Sequence, residues 1–143
     1  VRFDDDESGG VSFTGTQAGM TNQQRAKVRE LLVGLDPMWV HAGDCLGADA
    51  QFIEIVEEAL PSAQTCGHPP DDGSKRAFCR YDFTQPEAPY LERNWDIAVH
   101  GRVLIATPKE PQEVLRSGTW STVRYARKLG KEIFIVRPDG TLA

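Results

Sequence analysis

The segment Arg116-Ser117-Gly118-Thr119-Trp120-Ser121-Thr122 is the most chemically suggestive stretch of the chain. Four hydroxyl-bearing residues fall within six positions, around a glycine and directly after an arginine. At a helix start such a run offers hydroxyl and backbone N–H donors beside one bidentate cation, a combination that suits phosphate. The same residues also make a generous N-cap. Two glycine turns, Gly15-Thr16-Gln17-Ala18-Gly19 and Gly43-Asp44-Cys45-Leu46-Gly47, each follow a short apolar run. Turns of this kind let a ligand approach backbone amides and turn a helix N-terminus toward an anion; they are equally the plain route from strand to helix. Neither is GxGxxG, and GxxxxGK[ST] does not occur, so the standard dinucleotide and P-loop signatures are missing.

Other reactive types are more scattered. Glu92-Arg93-Asn94 lies in a helical stretch ahead of an apolar run. There an arginine and an amide can reach a ligand at a sheet edge, or form an ordinary surface ion pair. His41, Asp44, Cys45, Asp49, Cys66, His68 and Cys79 are spread over three loops with no pair at zinc-ligand spacing, so no metal is expected. Cys45 begins a helix and is the candidate for an activated thiol, with a buried structural thiol as the other reading. No GxSxG elbow or Ser-His-Asp order is evident.

The elements that must position these groups follow from periodicity. Apolar strands are expected at Val11–Thr14, Met38–Ala42, Val103–Ala106 and Ile133–Val136, with a shorter one near Ala63–Cys66. Thr21 and Gln24 form a capping-box signature ahead of Val28, Leu31, Leu32 and Leu35, at helical spacing. Asp36-Pro37 stops that helix, and a second carries Ala48, Phe52, Ile55, Val56 and Ala59. Helices are also expected over Tyr90–His100 and Ser117–Leu129, the last ended by Gly130. Gly67–Pro89 has no periodicity and reads as a lid, with Arg76, Phe78 and Arg80 as its ligand-covering side chains. Apolar strands alternating with helices predict an α/β Rossmann-like three-layer sandwich with a mainly parallel central sheet, one domain over 11–143 after a flexible acidic lead-in at 1–10. In such sheets ligands bind outside the carboxyl ends of the strands.

Composition sets the outer limits. At 143 residues, 40% hydrophobic and 26% charged, the chain is long enough for one self-sufficient core. No apolar run approaches the roughly 20 residues of a spanning helix, and the acidic start is unlike a targeting peptide. Three cysteines without a CxxC pattern fit a reducing, cytoplasmic setting. The net charge of −5 argues against a general DNA-coating role. It is uneven, however: residues 36–72 hold eight acids and no Lys or Arg, while 116–137 hold six bases against Glu132. Part of the surface can therefore attract phosphate while the total stays acidic, unless the two segments simply neutralise one another.

Together these motifs resemble the SLOG superfamily, the Rossmann-like fold shared by DprA/Smf DNA-processing proteins and LOG phosphoribohydrolases. Arg116-Ser117-Gly118-Thr119 through Thr122, Arg124 and Ala126, then Gly130 to Phe134, is similar to the phosphate stretch of DprA. Gly47-Ala48-Asp49, Arg93-Asn94 and Val11–Gly15 resemble the family's second turn, its helix motif and its opening strand. The resemblance is closest to small stand-alone bacterial and phage members. It implies a nucleotide or nucleotide-derived ligand, with no other cofactor required. The implied binding residues are Gly15, Thr16, Gln17, Gly43, Asp44, Gly47, Ala48, Asp49, Arg93, Asn94, Arg116, Ser117, Gly118, Thr119 and Thr122. It also implies a homo-oligomer, a dimer in many relatives, and single-stranded DNA as an alternative partner. The LOG activity, N-glycosidic cleavage of a nucleoside monophosphate, depends on a glutamate whose place is taken here by Tyr125. Glu92 is the substitute catalytic candidate, with Asp44 behind it.

Overall fold

The strands alternate their side chains between two helical layers, and that alternation organises the fold. A computed structural model describes residues 10–143. The expected lead-in lies outside them except for Gly10, whose carbonyl accepts from the N–H groups of Arg102 and Val103. In chain order the elements are β1 (Val11–Gly15), α1 (Asn22–Leu35), β2 (Trp39–Ala42), α2 (Ala48–Ala59), β3 (Gln64–Gly67), β4 (Phe83–Thr84), α3 (Tyr90–His100), β5 (Val103–Thr107), α4 (Gly118–Lys128) and β6 (Glu132–Ile135). All neighbouring strands pair in parallel, in the order β4-β3-β2-β1-β5-β6. The expected α/β sandwich is therefore the observed architecture.

Val11, Phe13, Val40, Ala42, Val103 and Ile105 pack toward α1 and α2, where Phe13 stacks on Phe52 at 4.3 Å between ring centres. Leu104, Ala106 and Ile135 pack on the other side, against Ile97, Trp120, Val123 and Ala126 of α3 and α4. The chain runs outward from β1 to β4, then returns to lay β5 on the opposite side of β1. A crevice opens where the direction of winding reverses, beyond the carboxyl ends of β1 and β5.

The capping box forms as expected. Thr21 Oγ1 accepts from Gln24 N at 3.0 Å, and Gln24 Oε1 accepts from Thr21 N at 3.0 Å. The Gln24 amide is fully buried and donates to the carbonyls of Pro108 and Val136, tying α1 to the loops after β5 and β6. The 67–89 excursion is not the featureless lid that its sequence suggests. It holds one 3₁₀ turn, Gly73–Lys75, and β4, which adds an edge to the sheet opposite Cys66 and Gly67. A two-residue strand is too short to show a period, which is why the sequence conceals it. Asp82 secures it by accepting from the N–H and hydroxyl of Thr65. Among the described residues no helix is long and apolar enough to cross a membrane.

Candidate functional site

A cleft of about 220 Å³ lies at the reversal point, beyond β1 and β5. One wall is the β1–α1 turn, Thr14 to Gln17; the opposite wall is the start of α4, Arg116 to Thr119. Ser117 caps α4 by accepting from Trp120 N at 3.2 Å. The N–H groups of a helix's first turn have no partners within the helix, and Gly118 and Thr119 bring that turn to the cleft. Capping and ligand binding, opposed readings of the sequence, are compatible here.

The floor comes from α3 and α2. Arg93 is only 6% exposed, yet its guanidinium has weak local partners. Nη2 lies 3.3 Å from Cys45 Sγ, Nη1 lies 3.5 Å from the Gly43 carbonyl, and Nε has no partner. The Tyr90 ring lies beneath the cation at 5.0 Å. Gly43 makes this approach possible, because a Cβ there would lie 1.8 Å from Arg93 Nη1. Asp49 is buried beside it, its Oδ2 accepting from Cys45 N at 3.0 Å while Oδ1 is unpartnered. Burial raises the Asp49 carboxyl to about 6, against the pull of Arg93 in the other direction. Burial likewise raises the Cys45 thiol, with Asp49 adding to it. Cys45 is thus a packed, protonated partner of Arg93 and not an activated thiolate.

Of the expected binding residues, Gly15, Thr16, Gln17, Asp49, Arg93, Asn94, Arg116, Ser117, Gly118 and Thr119 converge on the cleft. Others stand behind it. Gly47, at φ +87°, packs against the backbone of Gln17, where a Cβ would meet the carbonyl oxygen at 2.3 Å. Ala48 donates its N–H to Thr16 O, so the second turn buttresses the first. Asp44 faces the 67–89 excursion, binding Arg76 Nε at 2.8 Å and Cys79 N at 2.9 Å. Thr122 turns its hydroxyl back to the Gly118 carbonyl at 3.0 Å. The excursion residues also lie elsewhere. Arg76 is held by Asp44 and Glu87, Phe78 packs on Arg76, and Arg80 sits over the far end of α2. Glu92 is exposed and does not line the cleft.

Sequence reasoning missed Thr14, Tyr90, Lys109 and Glu110 as lining residues. Lys109 and Glu110 follow directly after β5, so the rule that ligands sit beyond strand carboxyl ends was the available signal. The basic 116–137 segment is largely engaged: Arg124 and Arg127 bind Glu113, and Lys131 donates to the Val99 carbonyl. Arg116 and Lys109 are the bases of this region that line the cleft itself. Three of the scattered metal-capable residues, His41, Cys66 and His68, meet on the α3 side of the sheet.

Fold and cleft define an α/β Rossmann-like domain with a cationic, donor-rich crevice at the point of strand reversal. Solved structures share this architecture. A molybdenum cofactor binding protein from Rippkaea orientalis superposes with a TM-score of 0.69 at 18% identity, over 90% of this chain and 76% of that one. The structural-genomics target TM1055 gives 0.65 at 16% identity, over 92% and 75%. DNA processing protein A (DprA) from Streptococcus pneumoniae gives 0.63 at 18%, over 90% of this chain and half of that one. These structures share the α/β Rossmann-like fold expected from the motifs. No family profile and no curated protein sequence matches the chain.

Proposed function

We propose that the cleft binds a nucleotide or nucleotide-derived small molecule by its phosphate. The observation that carries this reading is Arg93: a guanidinium 6% exposed, with Nε unpartnered, lining the same cleft as the first turn of α4. A buried cation is costly unless anions complete it, and the neighbouring Asp49 turns its Oδ2 to Cys45 N and leaves Arg93 Nε unpartnered. Helix amides beside it supply the neutral donors a phosphate needs. Titration calorimetry and thermal denaturation with nucleoside mono- and diphosphates and NAD derivatives test the reading. A ligand at 100 times its Kd should stabilise the fold by about 2.7 kcal/mol, and Arg93→Gln should abolish the effect. Absence of any shift across the panel overturns the reading.

A second reading, N-glycosidic hydrolysis, is favoured by Asp49. Its carboxyl lines the cleft and, raised to about 6, can hold or release a proton near neutrality. Neither carboxylate nominated from the sequence has that position, since Asp44 is spent on Arg76 and Glu92 is exposed. Release of free base from a nucleoside monophosphate, lost in Asp49→Asn and retained in Glu92→Gln, would support it. An intact chain that binds nucleotides without releasing base would refute it.

A further inference from the structure

The chain has three histidines, and all three meet at one place. The register of the sheet dictates the meeting. His41 of β2 lies directly opposite Cys66 of β3, so their side chains emerge on the same face. His68 follows Cys66 by two residues and continues on that face, with its N–H held by the Ala42 carbonyl. His100 closes α3 above them. The ring centres of His41, His68 and His100 are 5.0–5.2 Å apart, and His41 and His100 are stacked with their planes nearly parallel, at 13°. The ligand-capable atoms of His41, Cys66 and His68 all lie within 4.8 Å of one another, and all three residues are buried. His41 Nδ1 and His68 Nε2 face each other at 3.0 Å.

We propose that His41, Cys66 and His68 bind one zinc-class divalent ion. Two imidazoles and a thiolate are the donor set of such an ion. Tetrahedral bonds of about 2.0–2.3 Å place the ligand atoms roughly 3.4–3.6 Å apart. The observed group lies within 4.8 Å, close to that spacing. On metal binding the proton between His41 Nδ1 and His68 Nε2 would move to the far nitrogen of its own ring, leaving both imidazoles neutral, and the Cys66 thiol proton would be released to solvent. Gln85 Nε2, 3.8 Å from Cys66 Sγ, is placed to support the resulting thiolate.

The ion would join β2 to β3 and the residue just beyond it, beneath the end of the helix that carries Arg93 and Asn94. Its role would be to fix the face of the sheet on which that end of α3 packs. It contributes no group to the cleft, so the nucleotide reading stands or falls separately.

The test uses the full chain, purified without a histidine tag. Mass-spectrometric metal analysis should find about one equivalent of zinc. Replacement by cobalt should give tetrahedral d–d bands and a sulfur-to-cobalt charge-transfer band. Cys66→Ser should lose the charge-transfer band, whereas Cys79→Ser should keep it. Should Cys66→Ser fold poorly, X-ray absorption on the unaltered zinc protein reads the same shell, with one sulfur and at least two imidazoles expected. A purified chain without metal that develops no charge-transfer band on cobalt titration overturns the proposal. A band that survives Cys66→Ser, or a shell without sulfur, does so equally.

Discussion

Replacing Asp49 by asparagine should make the protein more stable at neutral pH, and the gain should vanish in acid. Asparagine keeps a carbonyl oxygen for the Cys45 N–H, now bound at 3.0 Å by the carboxylate, and removes the buried charge. The carboxyl rises from 3.8 to about 6 on folding, chiefly through burial and despite the opposing field of Arg93. A folded value above the unfolded one means that the native state holds the proton more tightly. The protonated form therefore contributes stability that is full below pH 3.8 and lost as the pH rises through about 6. A shift of this size corresponds to about 3 kcal/mol. Because Arg93 already opposes the rise, its attraction is contained in that figure. Urea denaturation of both forms at pH 4 and pH 8 measures the effect. Asp49→Asn should gain up to about 3 kcal/mol at pH 8 and little at pH 4. Equal stabilities at pH 8, or a difference that does not change with pH, would refute the assignment of an ionised, desolvated carboxylate.

Three further outcomes follow from the same geometry. Gly43→Ala sets a Cβ where Arg93 Nη1 now lies, 1.8 Å away; displacement should cost about 1–3 kcal/mol of stability and weaken phosphate binding, measured by calorimetry. Arg93→Lys should not rescue Arg93→Gln in the same assay, because a point charge cannot reproduce the flat guanidinium resting 5.0 Å from the Tyr90 ring. Thr21→Ala removes both the acceptor for Gln24 N and the donor to the Pro138 carbonyl, and should lower stability by about 1–2 kcal/mol without changing ligand affinity.

Much of the fold was legible because burial on both faces writes itself into a strand as an unbroken apolar run. Val103–Thr107 is such a strand, buried at every position, and Tyr90–His100 is the expected helix end to end. β4 was not legible: it is held by Asp82 on Thr65 and by β3, contacts that no local pattern encodes. The site divides the same way. Ser117 to Thr119 and Arg93 reach the cleft because a helix start and a strand reversal put them there. The two glycine turns look alike in sequence, and a notional Cβ at Gly15, Gly43 or Gly47 would strike Thr107, Arg93 or Gln17 and not open space. They are packing glycines, and close approach between distant segments is invisible to spacing. Asp44 and Asp49 share one turn, yet only the partner 32 residues away, Arg76, decides which carboxylate is spent. The histidine cluster depends on the β2–β3 register, which a search for paired ligand spacing within one loop cannot detect.

The charge distribution shows how the proposed anion site would fit an acidic chain. The total of −5 matters little over distances beyond a Debye length, and what counts is which charges near the cleft remain uncompensated. Glu113 takes up Arg124 and Arg127 on the outer side of α4, and Asp44 takes up Arg76 behind the second turn. These pairings remove both an extended basic face and one acid that would otherwise confront a phosphate. Arg93 and Asp49 are left in the crevice, both buried, with Nε and Oδ1 each unpartnered. A phosphate reaching Arg93 brings negative charge beside Asp49, which disfavours the ionised carboxylate further and couples binding to protonation. In the proposed site the carboxyl whose proton lies within reach of neutral pH is Asp49, its rise helped by Asp44, while Glu110 on the cleft wall accepts from Trp120 Nε1.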